Sequence, residues 1–216
     1  MAINIQHNSA NVIKIEYMTI GIIGAGKMAR AFARQLVSTG YKVMMCNSRG
    51  PHSLNSIVTA LGANVQAATT EEVARAKIVI LAVHWNQLPQ ALSNLPPWEG
   101  RIVVDATNPN FSLEDVNNFV YTGEKTSSEL VAELVPGARL VKAFNTLCYK
   151  VLEKYPEHEH GKRVVFISGN DRYAKREFSE VVKRIGFAPV DLGNLANGGR
   201  MQQFGGPLGS LNLLHL

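Results

Sequence analysis

Short apolar runs alternate with amphipathic stretches along most of this chain of 216 residues. The run Ile78–Val83 is continuously apolar, which is typical of a parallel strand covered on both faces. From Lys27 to Thr39, apolar residues recur at every fourth position, and this spacing predicts a helix with one buried face. The hydrophobic pattern therefore predicts strands and helices in regular alternation, as in an α/β fold.

Glycine, proline and capping residues mark the ends of the further elements. Besides Ile78–Val83, strands are predicted directly after Met18 and at Tyr41–Cys46, Ile102–Asp105, Leu140–Phe144, Val164–Ser168 and Ala188–Asp191. Further helices are predicted at Pro51–Leu61, from the capping-box residue Thr69 to Ala76, at Leu88–Leu95, at Ser127–Val135 and from Asp171 to Gly186. We predict an α/β fold: a single doubly wound, mostly parallel sheet of about eight strands, Rossmann-like and suited to binding NAD(P).

The first 17 residues differ from the rest of the chain. They are rich in Asn, Gln and His and show no clear apolar period before Val12. We therefore interpret residues 1–17 as an N-terminal segment, either a loose extension that need not belong to the native protein or an added edge element, with Met18 as the functional start, and residues 18–216 as one Rossmann-like NADP-binding domain. Mass spectrometry of the natively expressed protein tests this interpretation, because a mature N-terminus at residue 1 or 2 contradicts it.

The segment from Thr19 to Ala29 carries the strongest functional signal. A strand runs into Gly24-x-Gly26-x-x-Ala29, and a helix follows at once. In a dinucleotide-binding fold, Gly24 permits the tight turn and Gly26 lets the backbone approach a pyrophosphate. Ala29 lets the helix lie close to the sheet, and the helix N-terminus offers unpaired N–H groups to the anion. The alternative is a turn with a purely structural role.

The end of the second strand indicates which dinucleotide is bound. Sites for NAD usually place an acidic residue about 20 positions past the glycines. Here Asn47 occupies that place, and Ser48 and Arg49 follow it. A carboxylate would repel the 2′-phosphate of NADP, whereas Arg49 can bind it through two parallel N–H bonds. We predict NADP(H) rather than NAD(H), the alternative being that Arg49 is an ordinary solvated residue.

The composition argues against several other classes of protein. The net charge of +5 comes from scattered basic residues without interleaved aromatic side chains, so no nucleic-acid partner is expected. Without a bilayer-long apolar run or a secretory leader, we expect a cytoplasmic protein that makes no membrane contact. Cys46 and Cys148 stand alone, and His158 and His160 lack a third ligand at helical spacing, so no metal site is expected.

Polar residues follow three of the predicted strands, at the edge where doubly wound sheets bind ligands. These tips hold His84 with Trp85, Thr107 with Asn108, and Asn145 with Thr146. We find no nucleophile with its base and no recognisable pair of acid–base carboxylates, so we assign no catalytic residue. Hydride transfer between two stacked rings depends mainly on orientation, whereas reduction of a carbonyl needs a proton donor. The sequence therefore favours transfer between two ring cofactors.

Several motifs together resemble those of the NADP oxidoreductases that depend on the deazaflavin coenzyme F-420. They are Gly24–Ala29, Asn47–Arg49, Val83–Trp85, Asp105–Pro109, Val141–Thr146, Gly169–Asp171, Gly186–Asp191 and Gly205–Leu208. The similarity covers about residues 18–208. It extends to the reductase domains of membrane ferric and cupric reductases, which pass electrons from NADPH to a flavin.

The resemblance implies hydride transfer between NADP(H) and a small-molecule acceptor, either coenzyme F-420 or FMN or FAD. By position, the dinucleotide phosphates would be bound by Gly24, Ala25, Gly26, Lys27, Met28, Asn47, Ser48 and Arg49. The nicotinamide would be surrounded by Val83, Asn108, Pro109, Ala143 and His84, the last standing where the family leads us to expect proline. The acceptor would be lined by Trp85, Asn145, Thr146, Gly206 and Pro207. The resemblance also implies a homodimer, to which the segment Leu208–Leu216 could contribute, the alternative being that this segment packs onto the chain's own sheet.

Two other functions stay open at this point. The first is an NADPH-dependent imine or carbonyl reductase, in which His84 would donate the proton. The second is a non-catalytic redox sensor that binds NADPH and regulates a partner. Assays with flavin, deazaflavin and imine acceptors separate the two enzymes, and tight NADPH binding without oxidation by any acceptor would favour the sensor.

Overall fold

The strands include all those that the hydrophobic pattern predicts. A computed structural model describes residues 18–109, 123–154 and 156–216. Within these residues the strands are β1 (Thr19–Ile23), β2 (Lys42–Cys46), β3 (Val65–Ala67), β4 (Ile78–Leu81), β5 (Ile102–Asp105), β6 (Arg139–Ala143), β7 (Glu157–His158), β8 (Gly161–Ser168), β9 (Ala188–Asp191) and β10 (Leu214–His215). The sequence did not predict β3, β7 and β10, because strands of two or three residues are too short to show an apolar period.

The helices also follow the predicted pattern, with shifted ends. They are α1 (Lys27–Ser38), α2 (Asn55–Leu61), α3 (Thr70–Ala74), α4 (Leu88–Leu92), α5 (Ser127–Leu134), α6 (Tyr149–Leu152), α7 (Arg172–Arg184) and α8 (Asn197–Gln202), with 3-10 turns at Pro51–Leu54 and Trp85–Gln87. The predicted capping box is confirmed, since Thr69 and Glu72 bond each other's backbone N–H groups. Helix α4 ends at Leu92, before the predicted Leu95, because Ser93 already has extended backbone angles, φ −70° and ψ 146°.

Six parallel strands form the main part of the sheet, in the order β3-β2-β1-β4-β5-β6. This is the strand order of a dinucleotide-binding sheet built from two mononucleotide-binding halves. The order reverses between β1 and β4, and ligands of such sheets bind at the carboxyl ends of the strands on either side of that point. The predicted doubly wound, mostly parallel α/β fold is therefore confirmed.

The last third of the chain extends the sheet beyond β6. Strand β8 lies antiparallel to β6, and β9 lies parallel to β8. Strands β7 and β10 both pair with the first residues of β8. The pairing of Leu214 with Arg163 therefore uses part of the leucine-rich C-terminal segment within the chain, while Leu211, Leu213 and Leu216 remain exposed.

Each face of the sheet is covered by helices. On one face, Phe32 of α1 and Phe178 of α7 are buried together with Phe144, which follows β6. On the other face, Val73 of α3 and Val131 of α5 are buried in a second hydrophobic cluster. Burial on both faces explains why the central strands are continuously apolar. Within the described ranges, the chain has no helix with the length and apolar character that a membrane span requires.

Candidate active site

A cleft of about 1250 Å³ lies at the carboxyl ends of β1, β2, β4 and β5. Its lining continues over the start of α1, the Trp85–Gln87 turn and α4. This is the edge where the strand order reverses, so the topology places a ligand site here. The cleft brings together many of the predicted site residues, namely Gly24, Ala25, Gly26, Lys27, Met28, Asn47, Ser48, Val83, His84, Trp85 and Asn108.

Gly24 forms the tight turn between β1 and α1. Its φ of 128° lies in a region that side chains of L-residues rarely allow. A Cβ atom at this position would lie 2.3 Å from the carbonyl oxygen of Ala82. The Gly24 N–H donates to the carbonyl oxygen of Cys46 at 3.1 Å. The backbone of the neighbouring strands therefore requires glycine here, whatever the cleft binds.

Gly26 presents the opposite case. It is exposed, it begins α1 with the common backbone angles φ −72° and ψ −172°, and a Cβ atom would meet no protein atom within 4 Å. Gly26 offers no capping side chain, and the first turn of α1 holds no acidic residue, so the first N–H groups of the helix remain available. A bare helix N-terminus beside open space fits a pyrophosphate group.

Asn47 shapes the loop after β2. It stands at the position where NAD-binding sites usually place an acidic residue. Asn47 Oδ1 accepts a hydrogen bond from the backbone N–H of Arg49 at 2.9 Å, and Asn47 Nδ2 donates to Ser53 Oγ at 2.9 Å. Such an asparagine turn fixes the direction of the residues that follow. Ser48 and Arg49 are both exposed, and in the described part of the chain the Arg49 guanidinium has no hydrogen-bond or ion-pair partner.

The residues after β4 form another part of the lining. Val83, His84 and Trp85 all face the cleft, with His84 exposed and Trp85 half-buried. His84 begins the 3-10 turn with its backbone alone, since its side chain makes no capping hydrogen bond. An exposed imidazole in a cleft can donate a hydrogen bond to a ligand or transfer a proton.

Two amide side chains join the ends of β5 and β6. Asn108 Nδ2 donates to the carbonyl oxygen of Asn145 at 2.8 Å, and Asn145 Nδ2 donates to Asn108 Oδ1 at 3.1 Å. Asn108 lines the cleft, whereas Asn145 is 7% exposed and lies behind it. The preceding residue, Phe144, has a φ of 66°, a costly conformation that is held by the packing of its ring against Phe32 and Phe187.

A buried ion pair connects the same two strands. Asp105 and Lys142 are both 0% exposed, and Lys142 Nζ lies 3.1 Å from Asp105 Oδ2. Ser128 Oγ donates to the same carboxylate oxygen at 2.5 Å. Burial alone would raise the pKa of Asp105, but the charge of Lys142 and hydrogen bonds from Ser128 and Thr107 outweigh it and hold that pKa below its ordinary value. Asp105 is therefore ionised at neutral pH.

Other predicted site residues lie outside the lining of the cleft. They are Arg49, Pro109, Ala143, Asn145, Thr146, Gly206 and Pro207. Ala143 is fully buried in the hydrophobic core. Gly206 closes a tight turn after α8, where a Cβ atom would lie 2.3 Å from the carbonyl oxygen of Arg200. Position at a strand end does not reveal from sequence alone whether a residue faces the cleft or the core.

The structure adds lining residues that the sequence did not indicate. Thr70, Gln87, Gln90 and Tyr149 all face the cleft. Gln87 and Gln90 are three positions apart, a helical spacing that could have indicated a shared polar face. The Lys27 ammonium lies 5.1 Å from the centre of the Tyr149 ring, a cation–π contact. Tyr149 follows β6, far from the glycine motif in sequence, so no local pattern pointed to it.

The cysteines and histidines in the described part of the chain form no metal-binding cluster. Cys46 is buried at the edge of the cleft, where desolvation raises the pKa of its thiol. Cys148 is exposed and free. Among residues 18–109, 123–154 and 156–216, no group of three or more His, Cys, Asp or Glu side chains could hold a metal ion.

The chain is similar to a family of known oxidoreductases. Residues 19–109 match the model of the family described as NADP oxidoreductase, coenzyme F420-dependent. Metalloreductase STEAP3 of Rattus norvegicus is 31% identical over 179 residues, which cover 82% of this chain and 34% of that protein. The chain therefore spans about a third of the length of this curated relative.

Two solved structures resemble the whole described domain. The hypothetical protein SMa0349 of Sinorhizobium meliloti is 43% identical with a TM-score of 0.85, over 92% of this chain and 96% of that one. A protein of Arthrobacter sp. FB24, assigned as an F420-dependent NADP reductase, is 26% identical with a TM-score of 0.71, over 84% of this chain and 88% of that one.

Proposed function

We propose that this chain is an NADP-dependent oxidoreductase of the coenzyme F420-dependent family, and that its cleft catalyses hydride transfer between NADP(H) and a deazaflavin or flavin. When NADPH is oxidised, one hydride passes to the acceptor ring, and water supplies the proton that completes its reduction. The two ring systems supply this chemistry, and the residues of the protein bind, orient and shield them.

The observation that carries this proposal is the pair of glycines at the start of α1. The protein requires glycine at Gly24, but its own atoms place no such requirement on Gly26. A glycine that faces open space at an uncapped helix N-terminus is accounted for by a ligand that must approach the backbone closely. The diphosphate bridge of a dinucleotide is such a ligand.

The size of the cleft suits a ligand larger than a drug-sized molecule, such as a dinucleotide. Pockets for single drug-sized molecules measure about 300–1000 Å³. The cleft of about 1250 Å³ exceeds that range and is lined by aromatic and amide side chains at the end that faces β4 and β5. In our proposal, the nicotinamide lies at that end and the acceptor ring stacks on it, which is the arrangement that direct hydride transfer requires.

The preference for NADP is supported by the loop after β2. No carboxylate stands at position 47, and the Asn47 turn leads into Arg49, whose exposed guanidinium has no hydrogen-bond or ion-pair partner in the described part of the chain. An arginine with free N–H groups can bind a phosphate through two parallel hydrogen bonds. We therefore propose that Arg49 and Ser48 bind the 2′-phosphate of NADP(H).

The choice of acceptor rests on the relatives. The Arthrobacter protein, similar along 84% of this chain, is assigned as an F420-dependent NADP reductase, which supports a deazaflavin. The metalloreductase named STEAP3 is matched over about a third of its length. That partial match supports a reductase, and we do not extend reduction of a metal ion to this chain.

One observation favours a second candidate, an imine or carbonyl reductase. His84 is exposed in the cleft and free of capping bonds, so it could donate the proton that such a substrate needs. On the deazaflavin or flavin hypothesis, His84 only borders the nicotinamide. The two candidates therefore differ in what replacement of this imidazole does to the rate.

The deciding experiment follows NADPH oxidation at 340 nm with separate acceptors. We expect turnover with coenzyme F-420, FMN or FAD and none with a cyclic imine. In the same assay, His84→Gln should leave the flavin or deazaflavin rate within about threefold, because no proton passes through this side chain. Turnover with the imine alone, abolished in His84→Gln, would contradict the proposal and establish the second candidate.

A further inference from the structure

The ion pair between Asp105 and Lys142 is the only pair among the described residues with both side chains 0% exposed. Taking both charges out of water costs several kcal/mol per ion, and apolar replacements of such pairs are often as stable or more stable. Stability alone therefore gives little reason for a charged pair at this place. Its bonds to the backbone indicate another role.

The pair holds the backbone of Thr107 from both sides. Asp105 Oδ1 accepts hydrogen bonds from the Thr107 N–H at 2.9 Å and from Thr107 Oγ1 at 2.6 Å. Lys142 Nζ donates to the Thr107 carbonyl oxygen at 3.1 Å while it also binds Asp105. Every polar group of Thr107 is thus bonded to one of the two charged side chains, which fixes the direction in which the chain leaves β5.

Thr107 itself lines the cleft, and so does the next residue along the chain. Asn108 follows Thr107, lines the cleft and exchanges hydrogen bonds with Asn145. The β6 side of this arrangement is held by Gln202 of α8, whose Nε2 donates to the Lys142 carbonyl oxygen at 3.1 Å and whose own carbonyl oxygen accepts from Asn145 Nδ2 at 2.6 Å. The buried charges are therefore connected to the Asn108 amide in two ways. One connection runs through the backbone of Thr107, and the other runs from Lys142 through Gln202 and Asn145.

We infer that Asp105 and Lys142 are positioning residues of the cleft: they hold Thr107 so that the Asn108 amide faces the nicotinamide end of the dinucleotide. This inference rests on the proposed function, since it needs a nicotinamide at that end. Neither charged group touches the ligand itself, because both are fully buried. Their effect on the reaction passes entirely through the backbone of Thr107 and the side chain of Asn108.

The Asp105–Lys142 pair forms what we call a clamp, an ion pair that also bonds the backbone two residues after the aspartate. A second clamp of this kind offers a matched control. At the end of β9, Lys175 Nζ binds Asp191 Oδ1 at 2.8 Å and the Gly193 carbonyl oxygen at 3.0 Å, while the Gly193 N–H donates to Asp191 Oδ1 at 2.8 Å. Both clamps thus hold the residue two positions after an aspartate. The β9 clamp lies outside the lining of the cleft, so its loss should leave the reaction unaffected.

The test compares two charge-free variants of nearly constant side-chain volume. In Asp105→Asn/Lys142→Met, we expect kcat for NADPH oxidation to fall about ten- to hundredfold, because misplacement of a positioning group by about 1 Å can cost that much. We expect the NADPH dissociation constant to stay within about threefold, since the phosphates are bound elsewhere. In Asp191→Asn/Lys175→Met, kcat should stay at the wild-type value. An unchanged kcat in the first variant, with its fold intact, overturns the inference.

A double-mutant cycle separates positioning from a general loss of structure. Asn108→Ala should lower kcat strongly in the wild-type background and only weakly in the charge-free background, where Asn108 is already misplaced. Independent, multiplying effects would overturn the inference. If the double variant does not fold, Lys142→Met alone takes its place, because it removes the bond to the Thr107 carbonyl oxygen, and the buried Asp105 carboxyl can take up a proton and still accept from the Thr107 N–H.

Failure of the inference and failure of the proposed function give different results. Calorimetry of the wild-type protein with NADPH does not depend on turnover. A wild-type protein without affinity for NADPH overturns the proposed function and the inference together. A wild-type protein that binds NADPH and reduces a flavin or deazaflavin, with full kcat in the charge-free variant, overturns the inference alone.

Discussion

Two regions of the cleft are held in place by different physical means. The turn between β1 and α1 is shaped by backbone sterics, with Gly24 enclosed by the carbonyl group of Ala82. The ends of β5 and β6 are shaped by hydrogen bonds and charge between residues distant in sequence, such as Asp105 and Lys142. The first region leaves backbone N–H groups bare for a ligand, and the second presents a side-chain amide. A short local motif can specify the first, whereas only the folded sheet assembles the second.

The largest effect is expected from Gly24→Ala, which adds a methyl group to the sterically restricted turn between β1 and α1. The new Cβ atom would lie 2.3 Å from a backbone oxygen, and alanine would be strained at a φ of 128°. Strain and overpacking each cost about 1–3 kcal/mol, so we expect the free energy of unfolding to fall by at least about 2 kcal/mol and NADPH binding to be lost. Urea denaturation and calorimetry measure the two effects.

Gly62→Ala is the matched control for that variant. Gly62 also has a positive φ, 101°, but no protein atom lies within 4 Å of the position that a Cβ atom would take. We expect this variant to lose about 1 kcal/mol of stability and to bind NADPH normally, because only backbone strain is added. Equal losses of stability in both variants would mean that the contact with Ala82 does not define the turn.

Gly26→Ala sharpens the comparison, because it separates the ligand from the fold. Its Cβ atom would meet no protein atom, so the free energy of unfolding without ligand should stay the same. The methyl group would displace a diphosphate from at least two N–H groups, each worth about 1.5 kcal/mol, and weaken NADPH binding about a hundredfold. Unchanged affinity would show that the glycine turn is a structural feature and not a phosphate site.

The contrast between these regions also explains what could be predicted from the sequence. The positions of the longer strands and of the helices followed from apolar periodicity, because burial on both faces of a parallel sheet leaves a continuous apolar run such as Ile78–Leu81. The glycine turn was visible because its steric demands fall within a few consecutive residues. The short strands β3, β7 and β10 were not visible, since they form only when a longer neighbour pairs with them.

The strand ends could be predicted only in part. The sequence indicated Asn108 and Asn145 as polar residues at strand tips, and the structure shows that only Asn108 faces the cleft. It gave no sign that Lys142, in an apolar stretch, pairs with Asp105, because that contact joins two strands across 37 positions. Tyr149 was missed for the same reason. Long-range side-chain contacts depend on the packed sheet and leave no local pattern.

Arg49→Ala tests the proposal that the loop after β2 binds the 2′-phosphate of NADP(H). Loss of a charge-assisted contact worth about 1.5–3 kcal/mol should weaken NADPH binding about ten- to hundredfold and leave NADH binding unchanged. The matched control is Arg176→Ala, which removes another exposed arginine outside the lining of the cleft. If both variants bind NADPH equally well, Arg49 does not hold the 2′-phosphate, and the preference for NADP must arise elsewhere.

The smallest effect concerns the strand ends and appears only in acid. Lys142, Ser128 and Thr107 hold the pKa of Asp105 below its ordinary value despite burial. The Asp105 carboxylate therefore takes up a proton at a lower pH in the folded state than in the unfolded state. This stability is fully present above the unfolded pKa of about 3.9 and is lost as the pH falls through the lower folded pKa. We therefore expect the unfolding free energy of the wild type to fall more steeply below about pH 4 than that of Asp105→Asn/Lys142→Met. Parallel curves for the two proteins would mean that the buried pair contributes no acid-sensitive stability, and the ends of β5 and β6 would then be held by neutral hydrogen bonds and packing alone.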